Sequence, residues 1–180
     1  GKPQVISAKP NEFQQAYMKV LAKRSEAIHN GSVDPSVDNM LKITNEARLL
    51  GLDARTINPD ADNYPNSKVN LLIAKVMEIY TETTPQNGVQ AIFCDIAIND
   101  GKKDTNEIDV EVDDGESEKT LSAEEQAEML AASKFSVYKY IKEELIRRGI
   151  PESEICFAGD AKDQGQRGEM YAQLRAGTKR

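Results

Sequence analysis

The sequence predicts an α/β fold: a truncated parallel sheet with crossover helices, preceded by a mainly helical N-terminal segment. Three observations carry this expectation. Apolar residues recur with helical period over most of the chain, two short apolar runs interrupt that period after residue 88, and the second half reads strand, insert, helix, strand, helix. Strands alternating with helices imply parallel pairing through right-handed crossovers. The expected divisions are a helical segment 1–66, a sheet-bearing part 67–180, and an acidic, largely flexible insert 99–132 within it.

Each element has a local reason. From Pro10 to Asn30, Phe13, Tyr17, Val20, Leu21 and Ile28 share one helical face; Asn11 is the N-cap and Asn30-Gly31 the stop. After the turn Gly31–Pro35, a second helical pattern runs from about Val37 to Leu52 on Met40, Leu41, Ile43, Ala47 and Leu50. The Pro- and Asn-rich run Asn58–Asn66 is a loop. Ser67 caps a third helix carrying Val69, Leu72, Ile73, Val76 and Tyr80, which ends near Thr84-Pro85. Val89–Ala97 follows as an apolar run without polar alternation, the pattern of a strand buried on both faces. Ser122–Glu125 has a capping-box pattern and predicts a short helix over Ala123–Ala132. Phe135-Ser136 reads as staple and cap for a helix through Val137, Tyr140, Ile141, Leu145 and Ile146, stopped by Gly149 with Pro151 beyond. Ile155–Ala158 is the second expected buried strand, and a last helix from about Asp163 to Arg175 closes at Gly177. Thr178–Arg180 falls where the next strand of such a unit should begin, so the chain reads as part of a larger domain.

The chain has 180 residues, two Cys, one His and a net charge of -7. Two cysteines make no disulfide scaffold, and with one histidine there is no Cys/His set for structural zinc. The acidity is local: Asn99–Ala132 carries twelve acidic residues against three lysines, a net -9, which leaves +2 for the rest. A near-neutral scaffold with an acidic insert does not exclude a polyanionic partner. No apolar run approaches the ~18 residues of a membrane helix, and Gly1-Lys2-Pro3 does not start a signal peptide; a cytoplasmic location with reduced thiols and no membrane partner is expected.

One arrangement of residues is distinctive. A buried run Ala91-Ile92-Phe93-Cys94-Asp95 is followed by a helix ending Arg147-Arg148-Gly149-Ile150-Pro151. A second run into Phe157-Ala158-Gly159-Asp160 then leads to Gln166-Arg167 and a helix ending Leu174-Arg175-Ala176-Gly177. This order resembles the second RecA-like lobe of superfamily-two helicases. It is more similar still to the Swi/Snf-like helicase region of the large methyltransferase-helicase proteins of phages and conjugative elements. That family has segments similar to Asn30–Pro35, Asp38–Asn45, Ser67–Asn70 and Phe93–Asp95, so the resemblance covers nearly the whole chain apart from the insert.

The resemblance implies a piece of an ATP-dependent DNA helicase or translocase whose partners are the first lobe of the parent protein and DNA. It also implies departures. The late helicase motifs and the arginine finger, which in the family follow this lobe, are not found in the chain, and it has no G-x-x-x-x-G-K-S/T loop. Phosphoryl transfer depends on charge stabilisation by such groups, so the chain alone is expected to be inactive. ATP and Mg belong to the parent, and this part is expected to hold no cofactor and no catalytic residue.

Five residues are candidates for a nucleic-acid or lobe-cleft role: Asp95, Gly159, Asp160, Lys162 and Arg167. Asp95 ends the first run, where open α/β sheets bind ligands; its ordinary reading is a polar strand cap. Gly159-Asp160 ends the second run, in a loop that the resemblance puts beside the inter-lobe cleft, though an acidic Asp160 repels phosphate and turn-making is the simpler role. Arg167 is an ion-pairing group or a backbone-phosphate contact. Lys162, with Lys139, Lys142, Arg147 and Arg148, is a solvated charge or a weak, sequence-blind phosphate contact. Cys94 and Cys156 hold equivalent places in two strands expected to be neighbours and read as inert buried thiols; His29 reads as a surface residue at a helix end. The insert's Asp109–Gly115 alternates carboxylates, but its Gly falls seventh and Thr120 twelfth, so it fails the EF-hand spacing. The alternative to a helicase piece is a non-catalytic interaction module that uses the acidic insert to bind a basic partner.

Overall fold

The computed structural model describes residues 3–94, 96 and 135–180. Residues 1 and 2, Asp95 and residues 97–134, which include the acidic insert and the expected helix Ala123–Ala132, lie outside the described residues.

Among the described residues there are five α-helices: α1 Glu12–His29, α2 Met40–Leu52, α3 Lys68–Thr83, α4 Val137–Arg147 and α5 Gln164–Arg175. Single 3-10 turns occupy Ala54–Thr56, Thr84–Gln86, Glu152–Glu154 and Ala158–Asp160. Each α-helix starts on a side chain that accepts a backbone N–H: Asn11, Asn39, Ser67, Ser136 and Asp163. At α1 the cap is reciprocal, because Asn11 N–H also donates to Gln14 Oε1 at 2.9 Å. Gly31, Gly149 and Gly177, all at positive φ, end α1, α4 and α5. At α4, Gly149 N–H bonds Ile146 O and Ile150 N–H bonds Leu145 O, which closes the last turn and places Ile150 against Leu145 in the core.

Two apolar clusters hold these helices. α1 and α2 enclose Leu21, Ile43 and Leu50, with Phe13, Tyr17, Ile28 and Ala47 at the margin. The larger cluster joins α2, α3 and α4 through Leu49, Val69, Ile73, Val76, Val137, Ile141, Leu145 and Ile150. Leu49 and Leu50 thus serve different clusters, and Ile57 touches both. Each large aliphatic side chain buried here contributes about 1.5–3 kcal/mol. Gln14, buried in α1, donates to Leu50 O at 2.6 Å and fastens the start of one helix to the end of the next. α5 contributes no buried residue; its end is fixed where Gly177 lies against Asn87, itself at φ 50°.

The expected α/β fold, a truncated RecA-like parallel sheet, is not what forms: no strand or sheet occurs among the described residues. The two apolar runs are present but unpaired with each other. In the first, Ile92, Cys94 and Ile96 pack on the helical core, while Val89, Ala91 and Phe93 face outward. It was expected to be buried on both faces, whereas Phe93 is 96% exposed. In the second, the backbone is extended at Ile155 and Phe157, but its surroundings are taken by the end of the chain. Lys179 Nζ bonds Ser153 O and Ile155 O, and Arg180 N–H bonds Glu154 O. Tyr138 stands at both runs: its hydroxyl donates to Cys94 O and its ring stacks on Phe157 at 5.6 Å. Ring and side-chain contacts therefore replace the backbone ladder that the expectation required.

Candidate functional site

The most heavily built polar site lies where α2, α3 and α4 meet. Asp53, directly after α2, caps the turn Ala54–Thr56 and accepts from Arg55 N–H at 3.1 Å. The same carboxylate takes Arg55 Nε at 2.8 Å and Nη2 at 2.9 Å, a two-point fork. Asp53 is 0% and Arg55 8% exposed, so the pair is inside the protein. The guanidinium sits 4.2 Å from the centre of the Phe135 ring and 4.1 Å from that of Tyr140, with the two rings 5.3 Å apart. Burial acts to lower the Arg55 pKa, but the hydrogen bond to Asp53 and the Tyr140 contact outweigh it and the net direction is upward.

The network continues through Tyr140. Its hydroxyl donates to Asn70 Oδ1 at 2.9 Å and accepts from Asn63 Nδ2 at 3.0 Å; Asn70 Nδ2 closes the ring on Asn63 Oδ1 at 2.7 Å. Asn70 Nδ2 also bonds Tyr64 O at 2.7 Å, which fixes the loop before α3. The side chains satisfy one another, so the site is arranged to hold three helices and a loop in register rather than to present a nucleophile or a base.

A second polar cluster joins α1 to α2. Arg24 forks Asp38, with Nε at 2.7 Å and Nη2 at 2.8 Å, and also donates to both oxygens of Glu46, at 2.6 and 3.0 Å. Tyr17 donates to Glu46 Oε2 at 2.9 Å. Hydrogen bonds to Asp38 and Glu46 raise the Arg24 pKa, and Arg24 lowers that of Asp38. Partial burial, followed by the Glu46 bond, raises that of Tyr17. A third cluster pins the end of the chain: the Arg180 guanidinium lies 4.4 Å from the Tyr80 ring centre and donates to Thr84 Oγ1 at 3.1 Å, beside Glu154.

Of the five residues singled out from sequence, Asp95 lies outside the described residues, and Gly159, Asp160, Lys162 and Arg167 are exposed between the turn Ala158–Asp160 and the first turn of α5. Gly159 and Asp160 lie in the exposed turn Ala158–Asp160, and Asp160 N–H bonds Phe157 O, a turn-forming contact. Lys162 is exposed, and its backbone N–H donates to Gln166 Oε1 at 2.7 Å. Arg167 is exposed on the first turn of α5, with no ion pair among the described residues. The other cations have partners: Lys139 with Glu143, Lys142 with Glu152, and Arg147 and Arg148 with Glu144. Cys94 and Cys156 are half-buried free thiols, and His29 is exposed at the end of α1. An open groove between the Thr84–Gln86 turn and the end of α5 is lined by Gln86, Asn87, Val89, Leu174, Arg175 and Gly177, none of them among the five candidates.

No group of three or more metal-ligating side chains occurs among the described residues, and none of their helices is long and apolar enough to cross a membrane. Compared with protein-family models, curated proteins and solved structures, the chain matches none. Sequence reading missed the Asp53–Arg55 pair entirely. The Asp-x-Arg-Thr sequence directly after a helix was a signal for a capped turn, but not for its burial.

Proposed function

We propose that this chain is a piece of the second motor lobe of an ATP-dependent DNA helicase or translocase and contributes no hydrolysis by itself. The observation that carries the reading is the ordered resemblance running from Asn30 to Gly177 and interrupted only by the insert. Several residues of the segments that carry the resemblance have definite work in the helical unit, which supports reading them as an architectural pattern. Asp38 holds Arg24 and Asn39 caps α2; Ser67 caps α3 and Asn70 bonds Tyr140; Gly149-Ile150 terminates α4 into the core. The reading makes no use of a sheet. In the parent protein, ATP, Mg and the groups that stabilise phosphoryl transfer come from elsewhere, and this piece supplies part of the body that moves against the first lobe on DNA.

Two measurements test this. The coding frame around the chain should encode a G-x-x-x-x-G-K-S/T loop upstream and a Q-x-x-G-R-type helix downstream. Purified chain with saturating duplex DNA and ATP should show no hydrolysis above background. Turnover would refute the inactive-piece reading. A frame lacking both flanking motifs would favour the other function, an interaction module whose acidic residues 99–132 recruit a basic partner.

A further inference from the structure

We propose that the Nε/Nη2 edge of Arg180, beside Thr84, is a binding site for a terminal phosphate, the phosphate-monoester end of a small ligand. The inference stands on contacts within the structure and is independent of the helicase reading.

The edge in question is the one on which an N–H from each nitrogen runs parallel and matches two oxygens of one anion. Two other arginines of this chain use it in that way. Arg24 sets Nε and Nη2 on Asp38 at 2.7 and 2.8 Å, and Arg55 sets them on Asp53 at 2.8 and 2.9 Å. Arg180 is more enclosed than either, with its side chain 7% exposed, yet it forks no carboxylate. Its Nη2 donates to the neutral Thr84 Oγ1 at 3.1 Å, and its buried Nε has no hydrogen-bond partner. A buried N–H of a cation without an acceptor is costly, because water no longer solvates it. The group is nonetheless held in place. Its guanidinium lies 4.4 Å from the centre of the Tyr80 ring, a contact that uses none of its N–H groups. Glu154 does not answer the edge: it lies 3.8 Å from Nη1, and its Oε2 accepts from the Tyr80 hydroxyl at 2.8 Å.

The surroundings favour an anion. Lys179 Nζ bonds the carbonyls of Ser153 and Ile155 rather than a carboxylate, and Arg180 N–H bonds Glu154 O between them. Two cations thus flank a loop segment whose one carboxylate is Glu154, while the neighbouring Glu152 is paired with Lys142 at 2.7 Å. The edge is closed at Nε and meets solvent at the exposed Thr84. The end of a molecule can enter there, whereas a chain that continues in both directions cannot. A terminal phosphate brings three acceptor oxygens and a charge of about -1.5 to -2, enough to take both N–H groups once the Thr84 hydroxyl turns aside. The groove that begins at Gln86 and reaches Arg175, walled by Val89 and Leu174, offers about 530 Å³ for the remainder of such a ligand.

Arginine Nε–H resonances of the whole, nitrogen-15-labelled chain test this, with Arg180→Lys identifying the Arg180 signal by its loss. Methyl phosphate, titrated to about 20 mM in about 0.02 M salt, should move the Arg180 Nε–H proton downfield with a Kd on the order of 1 mM. The Arg24 and Arg55 signals, already forked, should stay where they are. Binding should weaken several-fold at about 0.15 M salt. Arg180→Lys keeps the charge but loses the fork, so affinity read on the amides of Thr84 and Gln86 should fall about tenfold. Arg48→Met, at an exposed position of α2, should leave it unchanged. Dimethyl phosphate, with two oxygens blocked, should not bind. If Arg180→Lys fails to fold, the wild-type Nε–H shifts decide. An Arg180 Nε–H that does not move, the same movement with sodium chloride at equal ionic strength, or full affinity in Arg180→Lys would each overturn the proposal. Equal binding of dimethyl phosphate would refute a terminal phosphate as the ligand.

Discussion

Replacing Arg55 with methionine tests whether the site at the meeting of α2, α3 and α4 is the keystone its geometry describes. The substitution keeps an unbranched side chain between the Phe135 and Tyr140 rings but removes the charge. Asp53, 0% exposed, then loses two hydrogen bonds of 2.8 and 2.9 Å and is left as a buried carboxylate without a cation. Removing one partner of such a pair costs about 3–5 kcal/mol, a large fraction of the roughly 5–15 kcal/mol that holds a typical domain together. In urea unfolding followed by far-UV circular dichroism, a loss of about 4 kcal/mol with a slope of about 2 kcal/mol/M lowers the midpoint by about 2 M. Adding Asp53→Asn should recover much of the loss, because the amide can still accept Arg55→Met backbone N–H at the cap while no charge remains buried. A loss under about 1 kcal/mol for Arg55→Met, or a double variant whose loss is the sum of the two singles, would refute the keystone argument.

Three further outcomes follow from named contacts. Asp38, held below its ordinary 3.8 chiefly by the Arg24 hydrogen bond, contributes stability that is fully present above that value and lost as pH falls through its lower folded pKa. Asp38→Asn should therefore flatten the fall in thermal midpoint on acidification below about pH 4; an unchanged slope would count against the fork. Ser67→Ala removes the acceptor for Asn70 N–H and should destabilise the chain by about 1 kcal/mol in urea, with an effect near zero arguing that the cap is not used. Gly177→Ala meets both a φ of +70° and a Cβ position 2.9 Å from that of Asn87, so the end of α5 should loosen at a cost of about 1–2 kcal/mol. Faster amide exchange confined to Gln164–Arg175 would register this, and unchanged exchange there would contradict it.

What could be read from sequence was what is decided within a few residues. Asn11, Ser67 and Ser136 were legible as caps because a short polar side chain reaches a backbone N–H two or three residues on, whatever the remainder of the protein does. Gly31, Gly149 and Gly177 were legible as stops because few other residues take a left-handed conformation cheaply. The start of α2 was set a few residues early, at Val37, since the apolar pattern enters before Asn39 supplies the cap. The polar clusters obey no such local rule. Arg24 finds Asp38 and Glu46 across a turn, and Arg55 finds its rings at Phe135 and Tyr140, around the start of α4 and at least eighty positions away. Sequence shows that these residues are charged or aromatic, not that they converge. The cleft expected for the candidate residues was likewise inherited from strand ends, and those strands do not form among the described residues.

The two apolar runs show why strand prediction was the weaker step. Val89–Cys94 and Ile155–Phe157 present the same local signal, a few β-prone residues between helices. A run of that length specifies an extended backbone but not what lies opposite it, and a ladder exists only if another edge is brought alongside. At Ile155 the N–H bonds Glu152 O and the C=O accepts from Lys179 Nζ, while Arg180 N–H holds the neighbouring Glu154 O, so the backbone there is extended and held without becoming a strand. At Val89–Phe93 no group of the described chain pairs with the backbone, so the same propensity is left as an open edge with Phe93 in solvent. One sequence signal thus has two structural fates, and the difference between them lies in residues that neither run contains.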